Sequence, residues 1–387
     1  MKIGLLLPSV YMGEKYKNRI FAPKELLLNL AQGLVEKGHT VFIYGAKKVK
    51  TTAYLITGEE DLISHDLSSR KFAGYGRITR EQISHHQTKR EYEIDLTTKA
   101  YKHAKENNIE IIHSYHDFFA HYLSQLVTIP TVYTLHDPPP PKGSFEYWRL
   151  KHFKDDNYIF ISQSQKNHYK GLVKGLGVVY HGLDMKKFPF SKDGGNYLAF
   201  IGRYVRQKGV AEAIETAKKL GVRLILAGDD ASRRHSYYKD KVLPNVYQHG
   251  NIREHNFFGV LARGNFLKNA RALIFPILWE EPFGLVMVEA MACGTPVVAF
   301  AQGSVPEIIK DGKTGFIINS SDQDKRGDWI ITKNGVKGLC EAVSKIYKMP
   351  DSEYKKMREA CRAHVKEKFT LSKMVDSHEK IYRSIIC

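Results

Sequence analysis

Cysteine is scarce in this chain of 387 residues. Cys293, Cys340, Cys361 and Cys387 are too scattered for a zinc site and too few for a disulfide framework at this length, which fits a reducing cytoplasm. No apolar run approaches ~20 residues, so no membrane-spanning helix is expected. The opening "MKIGLLLPSV" has too short an apolar run for a signal peptide and reads as a first strand. Several catalytic and nucleotide signatures are also missing. There is no P-loop "GxxxxGK(S/T)", no GxGxxG after the first strand, no GxSxG elbow and no zinc signature. The paired acids "EE" and "DD" form no evident metal cluster, and neither a short-period repeat nor a low-complexity tract is present.

Apolar residues and positive charge are plentiful. Hydrophobic residues make up 43% of the chain, enough for buried cores, and the length favours two domains over one. Lys and Arg number 59 against 41 Asp and Glu, a net +18. The excess is spread, +7 over residues 1–180 and +11 over the remainder, which suits acidic partners such as nucleotides, nucleic acid or an anionic membrane face. Charge kept for solubility is the plainer explanation.

Short apolar runs alternate with helical spacing along the whole chain. "KIGLLLPS" predicts a buried strand, "PKELLLNLAQGLVEKG" a helix with Pro23 near its start and Gly38 at its stop, and "HTVFIYGA" a second strand. "IEIIHSY", "IPTVYTLHD" and "NYIFISQS" follow as strands, and "DPPPPKGS" is a loop. After the polar "HGLDMKKFPFSKDGGNY" the pattern restarts. "YLAFIG", "VRLILAGDD", "NVYQHGNI", "ARALIFPIL" and "TPVVAF" predict strands; "GVAEAIETAKKLG", "FGLVMVEAMACG" and "VPEIIKDG" predict helices. Apolar strands joined by helices give an α/β fold of two doubly wound, Rossmann-like parallel-sheet domains. The hinge is expected near residues 180–186, with an N-terminal domain over 1–182, a C-terminal one over 183–369, and a last helix, 370–387, returning to the first. Open α/β sheets bind ligands at the carboxyl ends of their strands, so a nucleotide is expected between the domains.

Three groups of residues carry chemistry. The first is "EEPFGLVMVEAMACGTPVVA", residues 280–299. Pro282 and Gly284 permit a tight strand-to-helix turn, and the helix would present the N–H groups of Gly284, Leu285 and Val286 to a phosphate. Glu289 then lies in an apolar helix with no Lys or Arg three or four residues away. A buried carboxylate needs a partner. A ribose diol is one candidate, and a basic side chain from elsewhere in the chain is the other. Glu281 is either aimed at sugar hydroxyls or an acid favoured at a helix start. The second group is "FIGRYVRQKG", where Gly202 ends a strand and Arg203 and Lys208 are placed to neutralise a diphosphate, unless they are merely solvated loop charges. The third is His113, His116 and His136, each at or just past the carboxyl end of an expected strand. With 17 histidines in the chain, any single one is more often structural, and none is assigned as a general base.

These residues resemble the retaining glycosyltransferases of family 4, which have the GT-B fold. The resemblance covers nearly the whole chain and is densest from Tyr197 to Ile318. Its most specific element is the Glu281–Glu289 pair within "EPFGLVMVEAMACGTPVVA", supported by "GRYVRQKG", "GSVPEIIKDGKTGFI" and "YHGLDMKKF". The resemblance implies ribose binding by Glu289, contact of Glu281 with the donor sugar, and diphosphate binding by Arg203 and Lys208. It also implies phosphate contacts from the backbone around Gly202, Phe283, Gly284, Leu285 and Val286. His116, with His113 as the alternative, would meet the transferring sugar. The family usually carries a Gly-Gly pair in the loop after the first strand, close to donor and acceptor; here "VYMGEKYKNRIFAPKE" keeps only Gly13, which the resemblance implies as a donor contact, and is bulky and basic. "QGSVPE" has Ser304 where a second glycine is common.

The reaction implied moves a hexosyl group from a nucleoside diphosphate sugar, UDP favoured on family grounds, to an acceptor hydroxyl with retention. No metal or other cofactor is expected, since Arg203, Lys208 and the helix N-terminus would meet the leaving charge. The acceptor would be a glycan, a lipid-linked molecule or a small molecule. Peripheral association with an anionic membrane is a further expectation, with "SSRKFAGYGRITREQISHHQTKREYE" (68–93) as the candidate basic patch. The competing readings are a GT-B phosphorylase, a nucleotide-sugar epimerase, and a non-catalytic nucleotide-sugar or nucleic-acid binding protein. No nucleic-acid recognition module is visible, so no nucleic acid is expected as the main ligand.

Overall fold

Strands such as Ala272–Phe275 and Val297–Phe300 are buried at every position, as apolar runs with no polar face require. The computed structural model describes residues 1–9, 12, 21–59, 80–115, 118–229, 232–255 and 259–386. Among the described residues, seven strands build the first sheet: β1 Lys2–Leu6, β2 Thr40–Gly45, β3 Tyr54–Thr57, β4 Ile111–Ser114, β5 Thr131–Thr134, β6 Asn157–Phe160 and β7 Gly175–Val178. Six build the second: β8 Tyr197–Ile201, β9 Arg223–Ala227, β10 Ile252–Glu254, β11 Ala272–Phe275, β12 Val297–Phe300 and β13 Gly315–Ile318. The orders are β3-β2-β1-β4-β5-β6-β7 and β10-β9-β8-β11-β12-β13. Every ladder is parallel. Both orders reverse direction beside the central strand, β1 in one sheet and β8 in the other. Each reversal opens a crevice at the carboxyl ends of the strands.

The segments following those carboxyl ends meet across the two halves. Glu307, after β12, accepts hydrogen bonds from the N–H groups of Gln163 and Ser164, after β6, each at 2.9 Å. It also accepts one from the Tyr180 hydroxyl at 2.9 Å. Its carboxylate thus sits on the N-terminus of the helix Gln163–His168, where partial positive charge favours it.

Local sequence explains most departures from the expected elements. "NVYQHGNI" is not one short strand: Leu243–Gln248 is helical, with Pro244 in its first turn where a missing N–H costs nothing, and β10 begins only at Ile252. The helix in "VPEIIKDG" is a single turn, Val305–Ile308, because Ile309 turns extended. β3 and β7 are short, partly exposed edge strands, and β7 carries two glycines, so neither shows a clear apolar run.

The helix Leu371–Ile386 packs on the helix Ala22–Glu36 so closely that a Cβ on Gly33 would stand 2.5 Å from Val375. Lys37 pairs with Asp376 at 2.7 Å and with Glu379. The chain reaches this position by pairing Leu183 with Thr370, the Leu371 N–H donating to the Leu183 carbonyl at 2.9 Å. No described helix is long and apolar enough to cross a membrane.

The last helix also closes over a buried histidine group. His113 bonds the Tyr382 hydroxyl through Nδ1 and the Thr134 hydroxyl through Nε2, both at 2.6 Å, and its ring lies 5.1 Å from that of His378. Burial holds His113 and His181 well below the usual histidine range and pushes His378 down to about 4. The unfolded chain protonates these rings at about pH 6.5, whereas the folded chain resists protonation until lower pH. Below that pH the unfolded state binds more protons, so stability falls on acidification. Each histidine should cost up to about 1.4 kcal/mol per pH unit. Denaturant unfolding measured from pH 7 to 5 should show this decline, with His378→Gln flattening it. A wild-type profile that stays level would contradict the assignment.

Candidate functional site

The Leu285–Ala292 helix begins because Gly284 takes a left-handed conformation, φ 74°, ψ 61°, that turns the chain sharply after β11. The first N–H groups of that helix have no acceptor within it, and its positive end points towards the crevice. Leu285 packs against the apolar cores of both halves.

Upstream of the turn, Glu281 is 9% exposed and holds two donors on one oxygen. Lys208 Nζ approaches Glu281 Oε2 at 2.6 Å, and Trp279 Nε1 donates to the same atom at 2.7 Å. The ammonium also lies over the Trp279 ring, 4.8 Å from its centre. Lys208 is delivered by the turn Arg206–Lys208, which ends at Gly209 with φ 70°; a Cβ there would strike the Pro276 carbonyl at 1.8 Å. Arg203, on the same loop, is exposed, and Gly202 is half-buried at the end of β8. The loop after β8 and the loop after β11 are therefore one unit, further tied by the Leu278 N–H donating to the Gln207 carbonyl at 2.9 Å.

A third loop holds Glu281 from behind. The Ser304 N–H donates to the Glu281 carbonyl at 2.9 Å, and its hydroxyl donates to the Phe283 carbonyl at 2.8 Å. The glycine requirement at this turn falls on Gly303, with φ 57°, and Ser304 contributes a buried hydrogen bond instead. Glu280 forms a two-pronged pair with Arg326, at 2.7 and 2.9 Å, and accepts the Gly303 N–H at 2.9 Å.

Glu289 does have a cation, and it comes from another helix. Arg263, in Val260–Lys268, donates through Nη2 to Glu289 Oε1 at 2.7 Å and to Glu25 Oε2 at 3.0 Å. Glu25 lies in the first turn of the Ala22–Glu36 helix, so the bridge joins the two halves. Sequence spacing had no means of finding Arg263, which is 26 residues from its partner. Burial pushes the Glu289 carboxyl up, and the nearby guanidinium opposes the shift. Glu289 and Leu285 line a cleft of about 480 Å³, closed on its other sides by Glu25, Asn29, Lys50, Asp184 and Lys187.

Of the three histidines, His113 is fully buried with both ring nitrogens engaged, so it does not face the cleft and fails as the alternative sugar contact. It occupies a strand interior covered by the C-terminal helix. His136 stacks on His181 at 5.5 Å, and His181 meets the Phe283 ring edge-on at 4.9 Å, which leads from β5 to the Gly284 turn. His116, Gly13 and the 68–79 part of the basic patch lie outside the described residues. No group of three or more metal-ligating side chains occurs among the described residues.

The family model Glycosyltransferase Family 4 matches residues 25–187, and the model Glycosyl transferases group 1 matches residues 184–364. The chain belongs to the group 1, family 4 glycosyltransferases. It is 28% identical over 243 residues to an uncharacterized glycosyltransferase of Methanocaldococcus jannaschii, covering 59% of this chain and 68% of that protein. It is 25% identical over 305 residues to the glycogen synthase of Mycobacterium tuberculosis, covering 70% and 68% of the two chains. Among solved structures, sucrose-phosphate synthase from Thermosynechococcus elongatus superposes with a TM-score of 0.75 at 17% identity, covering 99% of this chain and 98% of that one. The Anabaena protein HepE, solved with UDP and glucose, superposes with a TM-score of 0.70 at 17% identity, covering 99% and 100%. The fold of this glycosyltransferase is GT-B.

In this glycosyltransferase the position of Glu281 depends on Gly303. A Cβ at 303 would stand 2.3 Å from the Glu281 carbonyl oxygen and 2.4 Å from its nitrogen, neither of which can yield without moving the loop. Gly303→Ala is expected to cost about 1–3 kcal/mol of stability. Ser304→Ala, which only removes a hydrogen bond, should cost about 1 kcal/mol. Urea unfolding of the two variants checks the order, and a Gly303→Ala variant no weaker than Ser304→Ala would contradict it.

Proposed function

We propose that this glycosyltransferase moves a hexosyl unit from a nucleoside diphosphate sugar to an acceptor hydroxyl with retention of configuration, and that the nucleotide is UDP. The observation that carries the reading is the Lys208–Glu281–Trp279 cluster beside the positive end of the Leu285–Ala292 helix, with Glu289 further along that helix on the cleft. A cation and unfilled N–H groups suit a diphosphate, and carboxylates beyond each end of it suit sugar and ribose hydroxyls. The likeness to HepE, a protein solved with UDP and glucose, supports UDP as the nucleotide.

In this reading the diphosphate lies between Arg203, Lys208 and the N–H groups of Leu285 and Val286. The bond between the sugar's anomeric carbon and the β-phosphate oxygen breaks, and these positive groups stabilise the charge that builds on that oxygen. The acceptor oxygen bonds to the anomeric carbon from the same face, and its proton passes to the departing phosphate oxygen. Glu281 orients the sugar hydroxyls while Trp279 and Lys208 fix its carboxylate. Glu289 accepts hydrogen bonds from the ribose diol.

Release of free nucleoside diphosphate from a panel of UDP-, GDP- and ADP-sugars, with and without EDTA, tests the proposal. Turnover of a UDP-sugar that persists in EDTA is expected, with Arg203→Ala and Lys208→Ala each lowering kcat by about 10². Near-normal kcat in both variants would reject their role. Product analysis showing only epimerised donor, or a sugar phosphate formed from inorganic phosphate, would replace the proposed reaction.

A further inference from the structure

The ribose carboxylate of the proposed site is not isolated, and the group that faces it comes from a helix with no assigned role. Arg263 uses one nitrogen, Nη2, to reach both Glu289 and Glu25. The side chain of Glu289 is 7% exposed, that of Arg263 19%, and that of Glu25 47%. The three residues thus run from the interior of the second half to the rim of the first. Glu289 Oε1 is taken by the guanidinium, and the residue still lines the cleft.

We infer that Arg263 is a positioning residue for nucleotide recognition, holding Glu289 as an anion aimed at the ribose and tying it to the opposite domain through Glu25. The inference rests on the ribose reading of Glu289 and adds the cause of that carboxylate's charge and orientation. A carboxylate this buried favours its neutral form unless a cation lies against it. A neutral acid would offer one of its oxygens as a donor and weaken both bonds to a diol. The pKa of Glu289 is raised by burial even with Arg263 present, so removing the guanidinium leaves nothing to oppose protonation. The groups facing Glu289 are Arg263 from one helix, Glu25 from another and Cys293 at the end of its own helix, with Lys50, Asp184 and Lys187 lining the same cleft from the segment after β2 and the inter-sheet segment.

The second link has a mechanical consequence. Glu25 lies three residues from the start of the Ala22–Glu36 helix, in its first turn. Pulling the halves apart breaks the Glu25–Arg263 contact and frees the guanidinium to move away from Glu289. Glu25 is therefore part of the ribose site only when the halves are together.

Calorimetric titration of the full chain with UDP, 2′,3′-dideoxy-UDP and inorganic pyrophosphate tests the inference, with Arg263→Gln, Arg263→Lys and Glu289→Gln as variants. Arg263→Gln is expected to weaken UDP by about tenfold or more, as loss of a charge-assisted hydrogen bond does, and to leave pyrophosphate unchanged. The loss should deepen from pH 8 to pH 6, because Glu289 gains its proton at higher pH without the cation. Arg263→Lys should recover most of the affinity. Unchanged UDP affinity in Arg263→Gln, alongside weakened UDP in Glu289→Gln, would overturn the role of Arg263 and leave the ribose reading standing. Unchanged affinity in both variants would overturn both. Equal loss of UDP and pyrophosphate, or no recovery with Lys, would show a purely structural residue and also overturn the inference. A second readout needs no variant: in the wild type the ratio of UDP to dideoxy-UDP affinity should stay level from pH 8 to 6. A ratio that collapses in that range would contradict a cation-held carboxylate.

Discussion

Glu289 is 5% exposed on a helix whose neighbours are apolar, and a carboxylate in such a place costs several kcal/mol unless donors or a cation meet it. Arg263 meets it, and Arg263 in turn is held by Glu25 from the opposite half. One electrostatic requirement thus links the helix after β11, the helix before β11 and the first helix of the chain. The cleft wall that results has a carboxylate at its base and both domains at its sides. The Glu25 contact thus ties this side of the cleft to the opposite domain.

The other end of the site obeys a similar logic with different parts. Glu281 is nearly buried and would be costly alone, but Lys208 and the Trp279 indole satisfy it. The loops bearing those groups are locked to one another by backbone contacts that leave no room for a Cβ at Gly209 or Gly303. Each carboxylate of the pair is therefore set by a rigid frame, one made from loops within a single domain and one spanning two. Preorganisation of this kind lets charges act on a ligand without first reorganising.

Much of this was legible in the sequence, and the omissions have physical causes. The alternation of apolar strands and amphipathic helices carried the two parallel sheets, because strands buried on both faces show as unbroken apolar runs. Gly284 and the run from Leu285 to Cys293 marked the helix whose N-terminus faces the crevice. Glu289 stood out because carboxylates rarely enter such surroundings, and Glu281 through its place just before the same helix. Arg263 did not, since a lone arginine in a mixed helix has no local signature and its partners lie 26 and 238 residues away. The edge strands β3 and β7 were hidden by partial exposure and glycine. His113 attracted attention through its place in β4, yet that place is covered by a helix more than 250 residues downstream, with Tyr382 269 residues from it. Tertiary contacts of that range leave no periodic trace.

The measurement that bears most directly on the central claim is a crystal structure of the chain soaked or co-crystallised with UDP. The diphosphate is expected at the N-terminus of the Leu285–Ala292 helix within reach of Lys208, and the ribose hydroxyls on Glu289 with the Arg263 bridge intact. UDP found elsewhere, or bound in the cleft with its ribose turned away from Glu289, would contradict it.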